Sequence, residues 1–230
     1  MIKSIVKKII STEKKDLIHE QDNSWYWNVP NRVLKDTAYL DESYSVETDS
    51  GVQNYNEWCL KNNINKGASI IEVGCGGGRM LMIWNECNRK YGWDFNIFGL
   101  EHAENAIKIA KDRNPTTTFF CQGGEESFGS NLYDVVYTHT CIQHNSGWKS
   151  EKILENAYQS LKDGGYIFMA TEKTFANWEE GDYEFLKQDP FYCDERESAG
   201  TAAWWVNKVC KFRFELIEFY HNIYTFRKIS

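Results

Sequence analysis

Between residues 68 and 170 the chain alternates short apolar runs with longer stretches of helical spacing. Ala68 to Val73, with Ile70, Ile71 and Val73 followed by a glycine cluster, predicts a short buried strand. The spacing then predicts a helix around Met80 to Asn88, a second strand over Ile97 to Glu101, and a helix over Ala103 to Arg113. A third strand follows at Thr117 to Gln122 and a fourth at Tyr133 to Thr138. Lys152 to Leu161 carries Ile153, Leu154, Ala157, Tyr158 and Leu161 on one helical face. The turn Lys162-Asp163-Gly164-Gly165 leads into a fifth strand, Tyr166 to Ala170. Apolar strands separated by helices indicate an α/β fold whose parallel sheet is covered on both faces.

The flanks differ in character. Val52, Tyr55, Trp58 and Cys59 recur at helical spacing and predict a helix before the Gly67 turn. Phe214 to Tyr220 and Ile223 to Lys228, separated only by His221-Asn222, read as a hairpin, so at least one of them runs antiparallel. Met1 to Gln21 interleaves Ile2, Ile5, Val6, Ile9 and Ile10 with Lys3, Lys7 and Lys8. That is a basic amphipathic helix, read first as a lid or surface helix and second as a membrane or partner contact. It is too broken for a secretory segment, and no apolar run approaches the ~20 residues that cross a bilayer. A single domain over 1–230 is expected, with a helical cap and lid over 1–66 and a ligand-binding core over 67–172. Residues 173–230 would form a substrate-side insertion plus the last two strands.

Composition narrows the function classes. The net charge of −7 argues against a phosphate-backbone binder, so no nucleic-acid partner is expected. The seven cysteines are odd in number and lack any C-x-x-C pair, which points to a reducing, cytoplasmic location and away from a structural zinc site. No histidine spacing supports a catalytic metal.

The informative stretch is Glu72-Val73-Gly74-Cys75-Gly76-Gly77-Gly78, placed between a strand and a helix. Glycines there allow positive φ and close approach of a ligand. A dinucleotide fingerprint would put its third glycine at position 79, which is Arg79. An acid two residues before the first glycine suits a ligand with a cationic amino-acid end better than a pyrophosphate. Glu101, followed by His102, ends the second strand, where a carboxylate can take two ribose hydroxyls. Gln122-Gly123-Gly124-Glu125 ends the third strand and could read an adenine edge. The fourth strand stops at Thr138-His139-Thr140. All four lie at carboxyl ends of expected parallel strands, the edge at which open α/β sheets bind ligands.

These residues, with Ile142-Gln143-His144 and the Leu161-Lys162-Asp163-Gly164-Gly165 turn, resemble the class I S-adenosylmethionine-dependent methyltransferases, in their small-molecule branch. The likeness runs from about Ala68 to Ala170. It implies a Rossmann-like, doubly wound, mostly parallel seven-stranded sheet whose C-terminal hairpin supplies an antiparallel strand. It implies S-adenosylmethionine as cofactor and S-adenosylhomocysteine as product. Glu72, Gly74, Cys75, Gly76 and Gly78 would border the methionine end, Glu101 and His102 the ribose, Gly124 and Glu125 the adenine, and Thr138 the end of the fourth strand. Family members often carry Asp where this chain has Gly124, and Glu125 is the substitute.

Methyl transfer to a hydroxyl needs a base, and His is the side chain best poised for it. His144 is the first candidate and His139 the second. Aromatic residues outside the core are expected to close the site and exclude water: Trp25, Tyr26, Trp27, Tyr44 and Tyr55 before it, Trp148, Trp178, Tyr183, Trp204 and Trp205 after it. From these, Tyr26, Tyr44, Trp148, Trp178 and Trp204, together with Gln143, are the candidate acceptor contacts. The expected partner is a small-molecule acceptor, methylated at oxygen, with the protein a monomer or homodimer and not inserted in a membrane. Methylation at nitrogen or of a macromolecule, and a non-catalytic donor-binding protein, are the alternatives.

Overall fold

A computed structural model describes residues 46, 50–139, 141–142, 145, 147–170, 212–220 and 223–230. In chain order these form α1 (Ser50–Lys61), β1 (Ser69–Val73), α2 (Arg79–Tyr91), β2 (Asn96–Glu101), α3 (Glu104–Arg113), β3 (Thr118–Cys121) and β4 (Tyr133–His139). There follow α4 (Gly147–Ser160), β5 (Leu161–Ala170), β6 (Phe214–Tyr220) and β7 (Ile223–Lys228). One seven-stranded sheet runs in the order β3-β2-β1-β4-β5-β7-β6. The first five strands pair in parallel, while β7 is antiparallel to both β5 and β6. The hairpin therefore supplies two strands, and the later one sits inside the sheet.

The two-residue period of a strand divides the core in two. Ile70, Val135, Tyr137 and Phe168 face α1 and α2, packing with Tyr55, Trp58, Leu81 and Trp84. Ile71, Val73, Val136, Ile167 and Met169 face the other way, against Ile153, Leu154 and Ala157 of α4. Both faces being covered, the strands read as continuous apolar runs.

Tyr55 is a correction. Grouped above with the lid aromatics, it is buried in the core at 4% exposure, tilted against Trp84 at 4.7 Å. Its helical spacing with Val52, Trp58 and Cys59 places it on the buried stripe of α1. Trp58 likewise stacks on Phe168 at 4.4 Å and donates its indole N–H to Thr225 Oγ1 at 2.9 Å.

The fifth strand begins earlier than Tyr166. Leu161 pairs with Tyr133, and regular pairing resumes at Tyr166 opposite Val135, so the predicted turn becomes an irregularity within β5. Gly164 adopts φ 74° there. The basic helix expected over Met1 to Gln21 lies outside the described residues, and no helix among them is long and apolar enough to cross a membrane.

Candidate active site

The site lies where neighbouring strands send their connections to opposite faces. β1 leads into α2 on one face and β4 leads towards α4 on the other, leaving a crevice at their carboxyl ends.

The glycine loop is built for close approach. Gly78 caps α2 in the left-handed conformation at φ 78°, and a Cβ there would meet Asn114 Nδ2 at 2.6 Å. At Gly76, φ 49°, a Cβ would meet nothing within 4 Å, so open ground lies beside the loop. Side chains from α3 and from the turn after it hold the loop from behind. Asn114 Nδ2 donates to Gly78 O at 2.9 Å and Arg113 Nη1 donates to Gly77 O at 3.3 Å. Asn85 Nδ2, on α2, donates to Asn114 Oδ1 at 3.0 Å.

Glu101 reaches this loop directly. Its Oε2 accepts the Gly76 N–H at 3.1 Å, and its Oε1 accepts the Ala103 N–H at 2.9 Å and lies 2.9 Å from His102 Nδ1. Burial alone would raise its pKa, but His102 and the two backbone N–H groups outweigh that and hold it below the usual carboxylate range.

Glu72 is treated in the opposite way. It lies opposite Tyr137 in the β1–β4 register and is 2% exposed. Its Oε2 has no hydrogen-bond partner among the described residues. Burial, then the Glu101 charge, push its pKa well up. Beside it the Tyr137 and Tyr55 hydroxyls share a hydrogen bond of 2.5 Å.

At the end of β4 the His139 ring stacks towards Tyr137 at 6.4 Å. Burial and the neighbouring Arg79 guanidinium lower its pKa to about 4, so the imidazole is neutral at neutral pH. Thr138, on the opposite face of the strand, is buried. Cys141 lies against Gly74, where a Cβ would meet its Sγ at 2.3 Å. Burial and the neighbouring acids Glu101 and Glu72 push the Cys141 thiol up to about 12, and Cys75 is raised by burial and the same two residues. Neither thiol is ionised at neutral pH.

The structure thus brings together Glu72, Gly74, Cys75, Gly76, Gly78, Glu101, His102, Thr138 and His139. Gly124 packs its backbone on Val73 and Ile153, and Asn156 of α4 donates to Gly124 O at 3.0 Å and Glu126 O at 2.9 Å. Glu125 pairs with Lys149 at 3.1 Å, so its carboxylate is engaged by α4. His144, Gln143, Tyr26, Tyr44, Trp178 and Trp204 lie outside the described residues, as does the side chain of Trp148. Sequence reasoning missed the buttresses Asn114 and Asn156 and the Tyr55–Tyr137 pair, because each acts on residues 30 or more positions away. The one available signal was an Asn just past a predicted helix end.

Residues 71–169 match the family described as methyltransferase domain. That stretch, a little under half of the chain, is a methyltransferase domain, and the match supports a class I S-adenosylmethionine-dependent methyltransferase family. Phosphoethanolamine N-methyltransferase 1 of Zea mays is 24% identical to this chain over 164 residues, covering 69% of the chain and 31% of the maize protein. Carboxy-S-adenosyl-L-methionine synthase of Campylobacter lari is 31% identical over 111 residues, covering 46% of the chain and 44% of that protein. The chain spans less than half the length of these curated relatives. Among solved structures, phosphoethanolamine N-methyltransferase 2 of Haemonchus contortus, in complex with S-adenosyl-L-methionine, superposes with a TM-score of 0.51 at 20% identity. That match covers 71% of this chain and 38% of the other, a likeness of fold.

The residues present fit the family's cofactor. Glu72 offers an unsatisfied buried oxygen for a cationic group, Glu101 an ionised carboxylate for a ribose, and Gly76 an uncovered backbone between them.

Proposed function

We propose that this methyltransferase moves a methyl group from S-adenosylmethionine to a small polar metabolite, with oxygen as the accepting atom, either a hydroxyl or an anionic oxygen of phosphate or carboxylate. The observation that supports it is the pair of buried acids at the glycine loop, with His139 and Arg79 at the neighbouring strand end. When bound, S-adenosylmethionine supplies a methyl group already activated by its sulfonium. The chain's residues have to hold an acceptor in line with that methyl, about 3–3.5 Å away, and exclude water.

Arg79 favours an acceptor that carries negative charge. His139, neutral at neutral pH, can accept a hydroxyl proton, though a pKa of about 4 makes it a weak base. His144 keeps its place as first candidate base within this reading. A nitrogen acceptor is the second reading, favoured by the name of the maize relative. A protonated amine must also shed a proton, so hydroxyl and amine acceptors both call on a neutral imidazole, whereas an anionic oxygen needs only positioning.

Labelled methyl donor, offered with matched hydroxyl, phosphate and amine acceptors, tests the proposal. Transfer to oxygen with release of S-adenosylhomocysteine is the expected outcome. Methylation of amines alone would replace the first reading with the second. Donor binding without transfer to any acceptor would favour a non-catalytic binding role.

A further inference from the structure

Two carboxyl groups at adjacent strand ends are buried side by side, yet only one is furnished to carry charge. Glu101 has the Gly76 and Ala103 N–H groups and His102 around its oxygens. Glu72 has neither donors nor a cation on its Oε2 among the described residues. The groups facing it are Glu101 from β2, Tyr137 from β4, Cys75 in the loop and Cys141 after β4, with Tyr55 of α1 behind Tyr137. Of these only Glu101 is charged, and its charge is negative. The Arg79 guanidinium of α2 acts on Tyr137 and on His139 of β4. A second bare anion in such a pocket is strongly disfavoured, and a proton relieves it.

We propose that Glu72 holds a proton in the ligand-free protein and releases it as the aminoacyl sulfonium enters, so that this residue reads the positive charge of the donor. The proposal rests on the donor site described above. The carboxyl O–H bond breaks, the proton passes to solvent, and the carboxylate gains the cationic end of the ligand as its partner. S-adenosylmethionine brings two positive centres, its ammonium and its sulfonium, against a single carboxylate. S-adenosylhomocysteine lacks the sulfonium. The donor therefore expels the proton more completely than the product does, and Glu72 favours donor over product.

Titration calorimetry at pH 6.5 in two buffers of different ionisation enthalpy counts the protons. The expected result is release approaching one proton per donor bound, a smaller release with S-adenosylhomocysteine, and none attributable to Glu72 in Glu72→Gln. Comparison with the variant removes contributions from the ligand's own amino group and from His102 and His139, which both proteins share. Linkage requires wild-type donor affinity to rise with pH, by up to tenfold per unit while Glu72 is protonated. Infrared difference spectra of the wild type provide a readout that survives a variant too weak to titrate. A protonated-carboxyl stretch should be present without ligand, vanish on adding donor, and be missing from ligand-free Glu72→Gln. Equal heats in both buffers for a wild type that binds donor would overturn the proposal, as would unchanged proton release in Glu72→Gln. A wild type that binds neither ligand would instead overturn the donor site itself.

Discussion

Glu101 and Glu72 have the same chemistry and opposite environments, and their stability contributions should run in opposite directions with pH. Glu101, with its pKa lowered by folding, contributes stability that is present above the unfolded carboxylate range, about 4.3, and lost as pH falls through its folded value. Glu72, with its pKa raised, contributes stability that is present below that range and lost as pH rises through its folded value. Ligand-free Glu72→Gln should therefore melt above the wild type at pH 8 and close to it at pH 4, which thermal denaturation at the two values would check. Glu101→Gln should weaken S-adenosylhomocysteine binding roughly 10- to 150-fold, the scale of one hydrogen bond to a charged group. Calorimetry giving unchanged affinity would rule out the ribose contact proposed for Glu101.

At the scale of elements, the donor loop owes its shape to side chains that never face the crevice. Asn114 ties Gly78 to the end of α3, and Asn156 ties Gly124 and Glu126 to α4. Asn114→Ala should lower stability by about 1–3 kcal/mol, because Gly78 O and Asn85 Nδ2 each lose one of their two partners behind the loop. Urea melts would measure this, and a loss of donor affinity in the same variant would show that the loop shape depends on the tie. Tyr55→Phe should cost about 1–3 kcal/mol for the same reason, stranding the buried Tyr137 hydroxyl. The central strands and the helices were legible, since they bury apolar runs or stripes whose period is local. Glu72 and Glu101 were legible too, as polar residues ending apolar strands. Contacts such as Asn114 to Gly78 were not, because a lone Asn has no periodicity and its partner is set by packing between α2 and α3. The start of β5 at Leu161 was hidden for a related reason: a glycine-rich turn reads as a strand boundary even where pairing resumes beyond it.

For the molecule as a whole, the acidic balance is the broadest constraint. A net charge of −7 releases few counterions from a polyanion, so a DNA or RNA duplex in 0.15 M salt should not bind at micromolar protein. Fluorescence anisotropy of a labelled duplex is the check, and tight, salt-sensitive binding would reopen a macromolecular acceptor. The sheet order was only partly legible: antiparallel character in the final pair followed from their short connection, but not which of them lies inside.

That inner position has a consequence for biosynthesis. The strand that bridges β5 and β6 is made after both, so a nascent chain emerging from the ribosome exposes the β5 edge until residues 223–228 arrive. Closure of the sheet must then wait for those residues, and a translation product that stops before them would present an unpaired strand to its neighbours and to chaperones.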